Sequence, residues 1–309
     1  MSGTLSAVRV QGPTRLVLRQ SRAVVLPAAV LLGLGVLAAG VMYLVGADDG
    51  SPLRTTSRSL TEYTAYTALL LPLLIGALVA GPLVARELES GTYRLAWTQG
   101  MSPARWLAAK AGVAAGAAVA ASVLLLVVFR LGQGTAEGVH FQWHQAHAYA
   151  ASGTAGIACA LLGVAVGTLT ALLVRRTLPA MGVAAVATGA VMLAVGQVRQ
   201  YLWPAMTVTV RESPELRAGV LPSHWETSSG MVTDSGRRLD WEGCWSRQAA
   251  ETYSDPNACM TARGAVEHFS DVHPASHFWP LQLVEAGVVL ALAAGTVWLA
   301  FRVLRRLHG

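Results

Sequence analysis

The sequence predicts an all-α polytopic membrane protein, with six transmembrane helices and an extracytoplasmic domain between the fifth and sixth. Three observations carry this. The 309 residues are 53% hydrophobic and only 13% charged. The charges fall between uncharged apolar runs of about twenty residues, the length that crosses a bilayer core, where a soluble core would need only apolar stripes. Finally, Lys and Arg gather in alternate flanks of those runs.

The spans are expected over residues 23–46, 64–84, 111–129, 148–174, 178–197 and 279–303. One set of flanks holds Arg9, Arg15, Arg19, Arg22, Arg86, Arg94, Arg105, Lys110, Arg175, Arg176, Arg302, Arg305 and Arg306. The short loops of the other side hold Arg54, Arg58 and Arg130. Positive charge favours the inner side, so both termini are expected in the cytoplasm of a multi-pass cell-membrane protein. The first apolar run is too long for a cleaved leader and reads as a signal anchor. Residues 1–22 mix Leu and Val with arginine, which suits an amphipathic segment on the inner face of the lipid; a basic tail is the alternative. The net charge of +6 has the same topological origin. Without aromatic-interleaved basic motifs, nucleic acid is not an expected partner.

Residues 198–278 form the one sizeable polar stretch, expected as a small irregular extracytoplasmic domain. Cys244 and Cys259 both fall in it, on the oxidising side, and are expected to form a disulfide. Cys159, within the fourth span, is expected to pack as a small residue. Gly112 and Gly116 in the third span and Gly163 and Gly167 in the fourth have the four-residue spacing that permits close helix approach. Pro27 and Pro72 can kink the first and second spans.

The most informative stretch is the loop 85–110, ARELESGTYRLAWTQGMSPARWLAAK. Gly91 interrupts the preceding helix, Thr92 suits an N-cap, residues 93–99 can make about two turns, and Gly100 suits a C-terminal stop. Ser102 and Pro103 then suit the cap and first residue of a new helix. So short a helix is not stable alone in water, so it must lean on the membrane, the rest of the chain or a partner. Glu87 and Glu89 place two acids where a bare membrane anchor has little use for them and a basic protein partner has much.

The run Arg86-Glu87-Leu88-Glu89-Ser90-Gly91-Thr92, then Trp97-Thr98-Gln99-Gly100 and Arg105-Trp106 through Lys110, resembles the cytoplasmic loop of type-2 ATP-binding-cassette exporter permeases, most closely their actinobacterial branch. Pro274 to Gln282, leading to Glu285, is similar to the entry to the last span in that branch, with His277 where arginine is expected. The resemblance implies a permease subunit that pairs with a second permease, the same chain or a homologue, and with two cytoplasmic ABC ATPase subunits that bind ATP and magnesium. The short helix would then sit in a cleft of the ATPase. Its coupling residues would be Glu87, Glu89, Gly91, Thr92, Arg94, Trp97, Thr98, Gln99 and Arg105. The chain itself has no glycine-rich phosphate loop followed by Lys and Ser or Thr, so no cofactor is expected in it.

Glu285 is the one charge clearly within a span, about 9 Å along the helix from Trp279. It marks either a substrate pathway or a carboxylate near the outer headgroups, paired with Arg130 or Arg199. His140, His144 and His147 recur at helical spacing beside Trp143; an interfacial helix is favoured over a metal site, and no metal is expected. The spans carry no pair of groups suited to acid–base or nucleophilic chemistry, so an intramembrane enzyme is not expected. Two functions stand: a permease that exports a hydrophobic or amphipathic substrate, and a non-transporting sensor or accessory subunit with the same ATPase coupling.

Overall fold

The computed structural model describes Gly40 and residues 53–135, 142–210 and 224–308. The expected first span and the segment before it lie outside the described residues, Gly40 aside, as does His140. The chain divides into two compact units: a helical one, Met1–Phe141, Gln145–Gly196 and Gln282–Gly309, and a second, Gln142–His144 with Gln197–Leu281.

In the helical unit, α1 (Leu53–Leu74) passes into a π-helical turn (Ile75–Ala80) and then α2 (Gly81–Ser90). Helix α3 (Tyr93–Thr98) is followed by α4 (Pro103–Thr135), α5 (Ala146–Ser152), α6 (Thr154–Val174) and α7 (Thr177–Val198), and α10 (Phe278–His308) closes the chain. Among the described residues, five helical stretches are long and apolar enough to cross a membrane: Arg58–Ser90, Pro103–Gln133, Thr154–Val174, Thr177–Tyr201 and Ala275–Arg306. Their outward faces stay apolar, with Leu70, Leu78, Val123, Val186, Leu193, Leu292 and Trp298 exposed. In water such a surface is an aggregation hazard, whereas in lipid it has no cost.

The π-helical turn has an identifiable origin. Pro82 has no N–H to continue the α-helical ladder, and the widened turn sets the Gly81 N–H on the Gly76 carbonyl, five residues back. This turn lies against α6. A side chain at Gly163 would overlap the Pro72 carbonyl, and one at Gly167 the Gly76 carbonyl. Of the two expected glycine pairs, then, Gly163 and Gly167 make the close approach. Gly112 and Gly116 meet nothing within 4 Å.

The fourth apolar run is not one helix. It breaks at Gly153, whose extended backbone (φ −152°, ψ −162°) separates α5 from α6. A break inside a bilayer strands backbone groups that water cannot reach. Here Gln282 of α10 takes two of them: its Oε1 accepts from the Ala155 N–H at 2.8 Å, and its Nε2 donates to the Tyr149 carbonyl at 2.9 Å. The Ser152 carbonyl accepts from Arg130 at 2.8 Å.

The second unit departs from the expected irregular, all-α picture. It carries a four-stranded antiparallel sheet in the order β1-β4-β2-β3, formed by β1 (Met206–Val210), β2 (Trp225–Thr233), β3 (Arg238–Asp240) and β4 (Ala265–His273). Short helices α8 (Arg247–Thr252) and α9 (Pro256–Ala262) connect β3 to β4. Met231, Leu239, Met260 and Ala265 form its small core around Cys244 and Cys259, which the structure joins as a disulfide. Period-two patterning is weak in the sequence because the strands bury polar groups too. In β4, Ser270 and His273 are as buried as Phe269 and Val272, and β2 is bulged at Thr227, which shifts its alternation.

Candidate functional site

The loop between α2 and α4 is built as two breaks around a short helix. Gly91 ends α2 at φ +73°, and Gly100 follows α3 at φ +88°. Both lie in the left-handed region, where glycine has no Cβ to clash. Thr92 occupies the N-cap position but has helical dihedrals and caps no N–H; its hydroxyl instead pairs with that of Ser90 at 2.9 Å. Ser102 caps α4, its Oγ accepting from the Arg105 N–H at 3.4 Å.

Helix α3 has two faces. Tyr93, Ala96, Trp97 and, beyond the helix, Met101 pack on a buried cluster that includes Val84, Trp106, Leu107, Leu172 and Leu304. The rings of Tyr93 and Trp97 meet edge-on at 4.7 Å, and those of Trp97 and Trp106 at 6.1 Å. The other face presents Arg94, Leu95, Thr98 and Gln99 to the surroundings, with Thr92 and Arg105 exposed beside them. Leu95 is 63% exposed, an apolar side chain with no internal use. The Arg94 guanidinium donates to the Tyr93 hydroxyl at 3.4 Å, and that bond holds its pKa above the ordinary arginine value.

The two acids are turned into the chain. Glu87 Oε1 takes the Lys110 ammonium at 2.8 Å, and its Oε2 takes the Trp106 indole N–H at 2.8 Å. Lys110 also donates to the Leu83 carbonyl at 2.8 Å. Glu89 Oε2 accepts from both the backbone N–H (2.9 Å) and the hydroxyl (2.6 Å) of Thr177, the first residue of α7. A carboxylate at a helix N-terminus is favourably placed against the helix dipole. The stem of the loop is thus fastened to α4 by Glu87 and to α7 by Glu89.

The remaining candidates are dispersed. Glu285 is 1% exposed in the interior of the helical unit, one turn beyond Gln282 on the same face of α10. His147 stacks on Tyr66 at 4.6 Å, and His144 on Trp225 at 5.5 Å, so the two rings have separate partners. Burial, and then the nearby His224, hold the pKa of His144 below the ordinary histidine value. Lys110 and Gln282 stand at the ends of the two sequence motifs, but the sequence assigned neither of them a role, nor did it separate Leu95 from the inward-facing residues of the short helix. For Lys110 a signal exists: the chain has no other lysine, and this one interrupts a run of alanines. A lone ammonium there requires an internal carboxylate.

Residues 46–199 match the model of a family described as ABC-2 membrane transporter related. The match takes in the π-helical turn, the α2–α4 loop and the helices through α7, just under half of the chain. It supports an ABC-2-type permease, a multi-pass membrane protein of a kind that associates with an ABC ATPase subunit. No curated protein matches the chain.

Proposed function

We propose that this chain is the membrane subunit of an ABC exporter, with α3 as the helix that receives force from a separate ATPase. The carrying observation is the two-faced construction of α3. Its aromatic face packs on a cluster built from Trp106 and the ends of five spans, while Arg94, Leu95, Thr98 and Gln99 face outward from a rigid element. Displacing such an element carries its attached helices along, because packed side chains transmit strain rather than absorb it. Glu87 and Glu89 serve this reading as positioning residues that tie the α2 stem to α4 and α7, rather than as contacts for the partner.

In this reading the α3 loop and both termini are cytoplasmic, the sheet unit lies outside, and residues 23–46 supply the sixth span. ATP and magnesium belong to the partner ATPase, and a second permease subunit completes the pathway. The apolar spans suit a hydrophobic or amphipathic cargo. Substituting Leu95→Asp with Arg94→Glu tests the assignment, since both positions are exposed and the one bond lost is that of Arg94 to its neighbour Tyr93. The expected result is a normally folded chain that no longer co-purifies with the ATPase or stimulates its turnover. Undiminished association and stimulation would remove α3 from the coupling role. A sensor or accessory subunit with the same coupling is the second reading, favoured by the cavity in the sheet unit; cargo movement in reconstituted vesicles separates the two.

A further inference from the structure

The sheet unit contains a cavity of about 420 Å³, within the range of small-molecule sites. One wall is the segment that follows α7, with Gln200, Tyr201 and Trp203. The other is the β2–β4 pair, with Thr227, Ser228 and Asp271. The two walls differ in chemistry. Tyr201 is 78% exposed and Trp203 36%, and both line the cavity, Trp203 also meeting the His277 ring edge-on at 6.4 Å, so aromatic faces contribute to this wall. Such faces gain from apolar C–H surface laid on them.

The opposite wall is rich in hydrogen-bonding groups but electrically balanced. Arg238 holds the Asp271 carboxylate with two N–H bonds, at 2.7 and 3.3 Å, and Thr207 donates to it at 2.6 Å. These take three of the about four acceptor positions of a carboxylate and leave one. Because its charge is already matched, Asp271 gives little reward to a cationic ligand and still accepts from a hydroxyl. The bulge that inserts Thr227 between Glu226 and Ser228 lies at this wall, and bulges re-aim side chains beside sites. The Thr227 hydroxyl bonds the Asp271 carbonyl at 3.1 Å. The first wall is also fixed: the buried His273 lies 3.1 Å from the Gln200 carbonyl through Nε2.

Aromatic faces opposite neutral, hydroxyl-matching polar groups suit a ligand with one C–H face and a rim of hydroxyls. We propose that this cavity binds a neutral hexose unit, ring face on Trp203 and Tyr201 and hydroxyls toward Asp271 and Ser228. The proposal does not depend on transport and holds equally for a sensor.

The test uses the full-length chain in phosphatidylcholine nanodiscs, titrated with a panel of methyl glucoside, methyl galactoside, methyl mannoside and maltose by saturation-transfer NMR. Saturable binding of at least one saccharide is expected, weakened about tenfold or more by Trp203→Ala, Tyr201→Ala and Asp271→Asn. Trp298→Ala, on the outward face of α10, should leave it unchanged. The exposed position of Tyr201 makes that variant safe for folding, and retained sheet amide protection verifies it. Glycosyl diacylglycerol added to the nanodiscs separates the sources: competition with the free sugar identifies a lipid-borne headgroup, and its absence a soluble saccharide. No saturable binding up to about 100 mM overturns the proposal. So does tighter binding of choline than of any sugar, or a loss confined to membrane association, which would make Tyr201 and Trp203 interfacial anchors.

Discussion

Lys110 Nζ lies 2.8 Å from Glu87 Oε1 across the α2–α4 junction, and the two side chains are unequally buried, at 4% and 24% exposure. That asymmetry sets a prediction. Glu87→Gln leaves the buried Lys110 ammonium without a matching charge, held only by neutral groups, the new amide oxygen, the Leu83 carbonyl and the Trp106 ring, and breaking a buried pair from one side costs about 3–5 kcal/mol. Lys110→Met leaves a carboxylate that still accepts from Trp106 and reaches water, so it should cost less. The Tm of the purified chain should fall more for E87Q than for K110M. The double variant should recover most of the E87Q loss, because no uncompensated charge remains. Equal, additive losses would show that the pair is not coupled.

The glycine pairs give a second contrast. Alanine at Gly163 or Gly167 places a Cβ onto the carbonyl of Pro72 or Gly76, atoms that cannot rotate away. Forced overpacking of this kind costs about 1–3 kcal/mol. Alanine at Gly112 or Gly116 meets open space, so its effect within one chain should stay within about 0.5 kcal/mol. Thermal unfolding of the four single variants checks this; equal losses at all four positions would mean that α6 and the π-helical turn do not approach as described.

Much of this was legible locally. Gly91, Gly100 and the Ser102-Pro103 pair are punctuation with their own backbone physics, and they delimit α3 to within a residue at each end. The direction of the acids was not legible. A carboxylate before a glycine reads as a surface group until Lys110 and Thr177, from later helices, claim Glu87 and Glu89. The same limit hid the break at Gly153. Residues 148–174 contain neither proline nor charge, and the one local mark of the break is the short polar run Ser152-Gly153-Thr154; the compensating group, Gln282, sits in a different helix. The sheet was obscured by its own composition, since buried Ser270 and His273 erase the alternation that would reveal β4.

Gln282 therefore carries a third prediction. Gln282→Leu leaves the Ala155 N–H and the Tyr149 carbonyl without the side chain that pairs them, each costing about 1–3 kcal/mol. Gln282→Glu keeps an acceptor for Ala155 but brings no amide donor for Tyr149, so its loss should be smaller if the acid is neutral and comparable if it is ionised. Amide exchange at Ala155 should accelerate in Q282L. Unchanged protection there would show that the break is held by other contacts.

Acid should weaken the sheet unit before it weakens the helices. Burial holds the pKa of His273 below the ordinary histidine value; the bond to the Gln200 carbonyl opposes this and the neighbouring His277 reinforces it. The two Nδ1 atoms of His273 and His277 face each other at 3.1 Å, a spacing that accommodates one shared proton and not two. Burial and His224 lower His144 likewise. The unfolded chain therefore binds more protons than the folded one once the pH falls below about 6.5, the ordinary histidine value. Stability then declines with falling pH until the folded-state values are passed. Asp255 and Asp271 are also held low, the first mainly by the Ala258 N–H; for the second, burial pushes upward and the Thr207 and Arg238 bonds together outweigh it. Their contributions are lost only in stronger acid, below the ordinary aspartate range. Between about pH 8 and pH 5.5, amide protection of β2 and β4, corrected for intrinsic exchange, should drop while that of α6 holds. His273→Gln, which keeps a donor for the Gln200 carbonyl but cannot titrate, should flatten the profile. A full pH slope in H273Q would place the sensitivity elsewhere.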